Sequence, residues 1–191
     1  MRFTPTPIPQ LYLVDMERRR DERGFFARAW CQQELATQGL IASCVQANLS
    51  YNVRRATLRG MHFQLPPYGE DKFIRVVRGA VHDVVLDLRH DSPAFGRWFS
   101  VELNADERRS LFVPQGCAHG YLTLTDDAEV FYLVSAPYQQ DASRGIHWEA
   151  DALRGAWPFA PEVVSPQDTL WPKQLTPIYD NWRWGPAKRA G

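Results

Sequence analysis

Between residues 43 and 135 the chain is a succession of short apolar runs, each cut off by turn-forming residues. In order they read SCVQANLSYN, ATLRGMHFQ, DKFIRVVRG, AVHDVVLDLR, GRWFSVEL, RSLFVP, HGYLTLT and AEVFYLVS, and stretches such as PPYGED, RHDSPAFG and TDDA part them. Runs of this length, rich in β-branched and aromatic residues and bounded by Gly, Pro and Asp, predict strands. Their close spacing predicts an all-β sandwich or barrel. Helical signals are few. CQQELATQGL (31–40) predicts one short helix stopped by Gly39, and WEADALRG (148–155) a second. No long helical pattern alternates with the strands, which argues against a parallel α/β sheet.

At 191 residues the chain is expected to form one domain, 1–191, with its barrel core over about 44–136. The Pro- and Trp-rich stretch 150–191 is expected to wrap the barrel as an extended C-terminal strap. Hydrophobic residues make up 45% and charged residues 23%, an ordinary globular balance. Twenty-two Lys and Arg cancel 22 Asp and Glu, so no global field gathers nucleic acid or an anionic membrane; a local basic pocket for a phosphorylated small molecule stays open. Pro5, Pro7 and Pro9 interrupt the N-terminal stretch, which has no secretory apolar segment. Nowhere does an apolar run reach the roughly 18 residues of a membrane span. Cys31, Cys44 and Cys117 are odd in number and lack C-x-x-C spacing. They read as reduced thiols of a cytoplasmic protein.

Strand periodicity sorts the side chains by face. Leu58, Gly60, His62 and Gln64 share one face of their strand, Lys72, Ile74 and Val76 one face of the next, and Val130, Tyr132 and Val134 one face of the last. If these faces line a barrel interior, His62, Lys72 and Tyr132 meet in one cavity. Taken singly, each residue has a structural reading. His62 reads as a satisfied core histidine, Lys72 as a solvated turn charge after Glu70 and Asp71, and Tyr132 as an amphipathic rim residue. Asp168 in SPQDTLWP reads as a turn starter, and His119 as a hairpin cap beside Gly116 and Gly120.

Taken together, GMHFQLPPYGEDKFIRVVRG (60–79) and RRSLFVPQGCAHGYLTL (108–124) resemble the paired motifs of the cupin superfamily, the second with P-x-G-x-x-H at Pro114, Gly116 and His119. The resemblance implies a jelly-roll β-barrel. A metal-binding cupin supplies two histidines one residue apart and then a glutamate; here Gln64 replaces the second histidine and Lys72 stands near the acid. Amide and ammonium are poor ligands for a transition metal, which disfavours a metal site.

Over residues 10–172 the blocks DERGFF (21–26), QANLS (46–50), TLRGMHFQ (57–64), DKFIRVVRGAVHDVVLDLR (71–89), SPAFGRW (92–98), LFVPQGCAHGY, AEVFYLVSAPY (128–138) and SPQD (165–168) are similar, in the same order, to the dTDP-4-dehydrorhamnose 3,5-epimerases. That resemblance implies a cofactor-free isomerase acting on a nucleotide-linked 4-keto-6-deoxyhexose. It also implies a homodimer in which an N-terminal segment of one subunit completes the site of the other. Inverting a carbon beside a ketone needs a base on one face, stabilisation of the enolate oxygen and an acid on the other face. The resemblance assigns these to His62, oriented by Asp168, then to Lys72 and to Tyr132. It gives Arg23, Phe26, Gln46, Asn48, Arg59, His119 and Tyr138 as substrate contacts. Two positions depart from the pattern: Arg28 stands where a thymine-recognising glutamate is common, and Ser143 where an acidic contact is common. Both leave the nucleotide base open. Inversion of a single carbon, another nucleotide sugar, and a non-catalytic binding module are the alternatives.

Overall fold

The structure, a computed structural model, describes residues 1–40 and 43–175. The described strands are β1 (Arg2–Pro5), β2 (Tyr12–Asp15), β3 (Arg19–Asp21), β4 (Gly24–Phe26), β5 (Gln46–Asn52), β6 (Thr57–Gln64), β7 (Lys72–Arg78), β8 (Ala80–Asp87), β9 (Trp98–Asn104), β10 (Ser110–Val113), β11 (Cys117–Thr123), β12 (Ala128–Val134), β13 (Ser143–Gly145) and β14 (Val163–Val164). One sheet runs β1-β2-β10-β7-β12-β5 and a second β13-β6-β11-β8-β9, with β14 parallel against β6. Strands β3 and β4 form a separate hairpin. This is the all-β architecture that the spacing of apolar runs implied, in the jelly-roll form implied by the resemblance to cupins.

Each sheet buries one face between the two and part of the other under peripheral segments, which is why many strands read as almost unbroken apolar runs. Ile74, Val76, Leu111 and Val130 of the first sheet meet Val81, Val85, Leu103 and Tyr121 of the second in the space between them. On the outer side of the second sheet, Met61, Phe63, Val84 and Leu86 pack under Ile146, Ala150, Leu153 and Ala156. On the outer side of the first, Val14, Phe73 and Phe112 pack with Leu35 of helix α1 (Gln32–Thr37). Each such side chain fully withdrawn from water contributes about 1.5–3 kcal/mol.

The sheets take in more of the chain than 44–136. Strands β1 and β2 extend the first sheet, and Ile8 and Leu11 reach the core between the sheets. Pro5 is compatible with a strand because β1 lies at the sheet edge, where a missing N–H breaks no ladder. One expectation at the C-terminal end needs correction: the second helix is only a 3-10 turn, Asp151–Leu153. The C-terminal strap buries Ala150, Leu153 and Ala156, adds β14 to the sheet and carries the buried Asp168. Its remainder, 176–191, lies outside the described residues.

One irregularity decides which side chains of β6 face inward. His62 pairs with His119 and Arg59 with Tyr121, so two steps along β11 span three along β6. The extra residue is a bulge. Gly60 sits in it at φ +123°, and a Cβ there would lie 2.5 Å from the Cα of Gly120, so only glycine lets the strands approach. The bulge resets the alternation: Arg59, rather than Leu58, stands in the row of His62.

Candidate active site

The two sheets leave a cavity of about 480 Å³, a volume suited to a small organic ligand. Its walls hold His62, Arg59, His119 and Tyr121 from the second sheet and Lys72, Tyr132 and Ser50 from the first, with Asp168 delivered by the C-terminal segment. His62, Lys72 and Tyr132 therefore meet in one cavity, and the histidine and the tyrosine come from facing sheets.

Asp168 lies at the start of a 3-10 turn, 3% exposed. Its Oδ1 lies 2.6 Å from His62 Nε2, and its Oδ2 accepts the Gly60 amide at 3.3 Å. Burial pushes its pKa up, but the His62 contact, the Gly60 amide and the Trp171 indole outweigh that and hold it below the ordinary carboxylate range. An ionised carboxylate at Nε2 keeps the proton on that nitrogen and leaves Nδ1 as the one able to accept another. The imidazole itself stays 41% exposed, on the cavity wall.

Lys72 enters the cavity already paired, its Nζ 3.0 Å from Glu70 Oε1, with both side chains nearly buried. The turn charge of the single-residue reading is thus an interior ion pair. Burial raises the pKa of Tyr132, and Tyr121 and Glu70 raise it further against the opposing charge of Arg59. The phenol is a guarded proton reservoir at neutral pH.

A second histidine–carboxylate pair stands beside the first, its histidine on the neighbouring strand β11. His119 Nε2 lies 2.9 Å from Oδ2 of the fully buried Asp83. Arg59 donates from Nε to Asn52 Oδ1 at 2.7 Å, which tethers its guanidinium to β5 at the cavity. Tyr121 donates to Ser50 Oγ at 2.8 Å.

The remaining expected contacts divide. Gln46 and Asn48 bond to each other at 2.7 Å and share the row of Tyr132 and Ser50 through the β5–β12 register, but of that row of β5 only Ser50 reaches the cavity wall. Tyr138 is 60% exposed and lies off the wall. Arg23 and Phe26 sit on the β3–β4 hairpin, Arg23 paired with Asp21 and Phe26 75% exposed, and neither lines the cavity of this chain. Arg28 pairs with Glu34, and Ser143 opens β13 opposite Gln64. Gln64 is spent on structure: its amide donates to the carbonyls of Tyr68 and Pro137 and accepts the Gln139 N–H. Among the described residues no group of three or more His, Cys, Asp or Glu is placed to hold a metal ion.

Sequence reasoning passed over Glu70, Asp83 and Trp171 as site residues. Asp83 carried a usable signal, since a carboxylate in the row Val81, Asp83, Val85 of a buried strand must have a partner. Glu70 and Trp171 carried none, because their partners are set by tertiary packing.

The family model described as dTDP-4-dehydrorhamnose 3,5-epimerase matches residues 5–175. A relative of that name from Sinorhizobium fredii is 37% identical over 90% of this chain and 89% of its own length. A dTDP-4-dehydrorhamnose 3-epimerase from Streptomyces niveus is 36% identical over 88% of this chain and 81% of its own. The crystal structure of dTDP-4-dehydrorhamnose 3,5-epimerase from Bacillus anthracis, with TDP and PPi bound, superposes with a TM-score of 0.85 at 37% identity, covering 90% of this chain and 98% of that one. Sequence, fold and cavity converge, and the chain belongs to the dTDP-4-dehydrorhamnose 3,5-epimerase family of isomerases.

Proposed function

We propose that this protein inverts C3 and C5 of a nucleotide-linked 4-keto-6-deoxyhexose, converting dTDP-4-dehydro-6-deoxy-D-glucose to dTDP-4-dehydro-L-rhamnose for deoxysugar and polysaccharide biosynthesis. The observation that carries this reading is the placement of His62 and Tyr132 on facing sheets around one cavity with Lys72. His62 Nδ1 takes the proton from the carbon beside the ketone, and the C–H electron pair moves into the enolate, leaving negative charge on the C4 oxygen. Lys72 stabilises that charge. Tyr132 gives its phenolic proton to the other face of the same carbon, the enolate collapses to the ketone, and solvent restores both side chains. Such general acid–base help is worth roughly 10²–10⁴-fold, with the rest of the acceleration from positioning. Arg59 supplies planar donors for the diphosphate.

The same reading makes the protein a homodimer. Phe26 on the β3–β4 hairpin and Val45, Leu49, Tyr51 and Phe131 around β5 and β12 leave apolar surface exposed, which supports a partner there. The hairpin of one protomer then brings Arg23 and Phe26 to the cavity of its partner, where His119 lines the wall. Three cysteines without a disulfide support a cytoplasmic setting. The name of the Streptomyces niveus relative supports a second reading, inversion at C3 alone. Proton NMR of the sugar after incubation with dTDP-4-dehydro-6-deoxy-D-glucose tests both. Inversion at two carbons supports the first reading, at one carbon the second, and an unchanged sugar contradicts both.

A further inference from the structure

Trp171 has no part in the chemistry above, yet its indole touches the base end of the cavity at several points. Its Nε1–H donates to Asp168 Oδ1 at 3.1 Å, the same oxygen that His62 Nε2 reaches at 2.6 Å. The ring stands edge-on to the imidazole, centroids 6.5 Å apart and planes at 72°. A glycine reserves the space it fills. Gly145 is the cross-strand partner of His62, and a Cβ there would lie 2.4 Å from the indole Cε2 and Nε1. The chain just beyond is pinned as well, since the Pro172 carbonyl accepts the His147 N–H at 2.9 Å.

We infer that Trp171 is a positioning residue of this enzyme: it seats Oδ1 of Asp168 and confines the His62 imidazole, so that Nδ1 faces the substrate in one orientation. The inference rests on the reading of His62 as the base. Oδ1 is shared between two donors, and taking the indole away leaves the carboxylate a stronger acceptor for the imidazole alone. The other charged or titratable groups on the same cavity are His119 with Asp83, Arg59, Lys72 with Glu70, Tyr121 and Tyr132. Trp171→Phe alters none of them.

The test uses two substitutions that reach the same contact from opposite sides. Trp171→Phe keeps a ring against Gly145 but removes the N–H donor, and Gly145→Ala displaces the indole without altering Asp168. Each is expected to lower kcat roughly 10-fold with KM nearly unchanged. Their effects should not add in the double variant. Independently of turnover, the indole N–H resonance absent from Trp171→Phe should change its chemical shift in His62→Asn. A Trp171→Phe enzyme with the wild-type kcat, or an indole resonance indifferent to His62, would overturn the inference. An indole that responds to His62→Asn in a protein whose rate survives that substitution upholds the contact and overturns only the assignment of His62 as base.

Discussion

His62 and Asp168 stand 106 residues apart in the chain and 2.6 Å apart in the structure. The carboxylate is buried and held below its ordinary range: burial works against ionisation, but His62, the Gly60 amide and Trp171 together favour the anion. A group whose folded pKa is depressed contributes stability that is present above its unfolded value, about 3.9, and is lost as pH falls through the folded one. Asp168→Asn should therefore be less stable than wild type at pH 6, and the gap should close as pH drops below about 4. Urea unfolding across that range measures it. The same variant should lose kcat roughly 10–100-fold, because an amide, which can also donate, no longer fixes the imidazole tautomer as the anionic acceptor does.

Tyr132→Phe separates the two halves of the reaction. The phenol is kept protonated first by burial, then by Tyr121 and Glu70. Without it, inversion is expected to fall about 10²–10⁴-fold, while exchange of the substrate's acidic hydrogen with solvent persists through His62. Glu70→Gln removes a negative neighbour of the phenol, so the alkaline limb of kcat should move to lower pH. A pH profile of each variant checks both statements.

Asp71 has the opposite sign to Asp168. Burial pushes its carboxyl up to about 6, against the Gln115 amide, Ser135 and Arg89, which favour the anion. Its folded pKa lies above the unfolded value, so its unfavourable contribution grows as pH rises from about 4 through 6. Asp71→Asn keeps an acceptor for the amide and drops the buried charge. It is expected to stabilise the fold at pH 8 by about 1–2 kcal/mol and to lose that advantage at pH 4, measured by thermal or urea unfolding.

Leu49 is 61% exposed on β5, in the apolar surface proposed to meet a second copy. Leu49→Asp should convert a sedimenting dimer to monomer. Activity should fall with dimer content, because the hairpin bearing Arg23 and Phe26 then reaches no cavity.

Much of this architecture was legible in the sequence, for a physical reason. Short apolar runs with Gly/Pro punctuation mark the strands, and rows of alternate residues bring His62, Lys72 and Tyr132 together once those faces are turned inward. The failures are equally specific. A single extra residue at Gly60 exchanges the rows of β6, so alternation alone put Leu58 where Arg59 stands. Pro5, Pro7 and Pro9 masked β1 and β2; only Pro5 lies within a strand, the edge strand β1, and Pro7 and Pro9 lie between the two. Lys72 read as a solvated turn charge because its nearly buried pairing with Glu70 is set by tertiary packing, and Trp171 meets His62 only in the same way. Arg23, Phe26 and Tyr138, supplied by family likeness, stay outside the cavity of this single chain.

The most direct measurement of the central claim is incubation with dTDP-4-dehydro-6-deoxy-D-glucose in D₂O, with deuterium located by NMR and mass spectrometry. The wild-type protein is expected to incorporate deuterium at both C3 and C5, and His62→Ala at neither while still binding dTDP. Near-normal incorporation by His62→Ala would contradict the assignment of that imidazole as the base on which the mechanism depends.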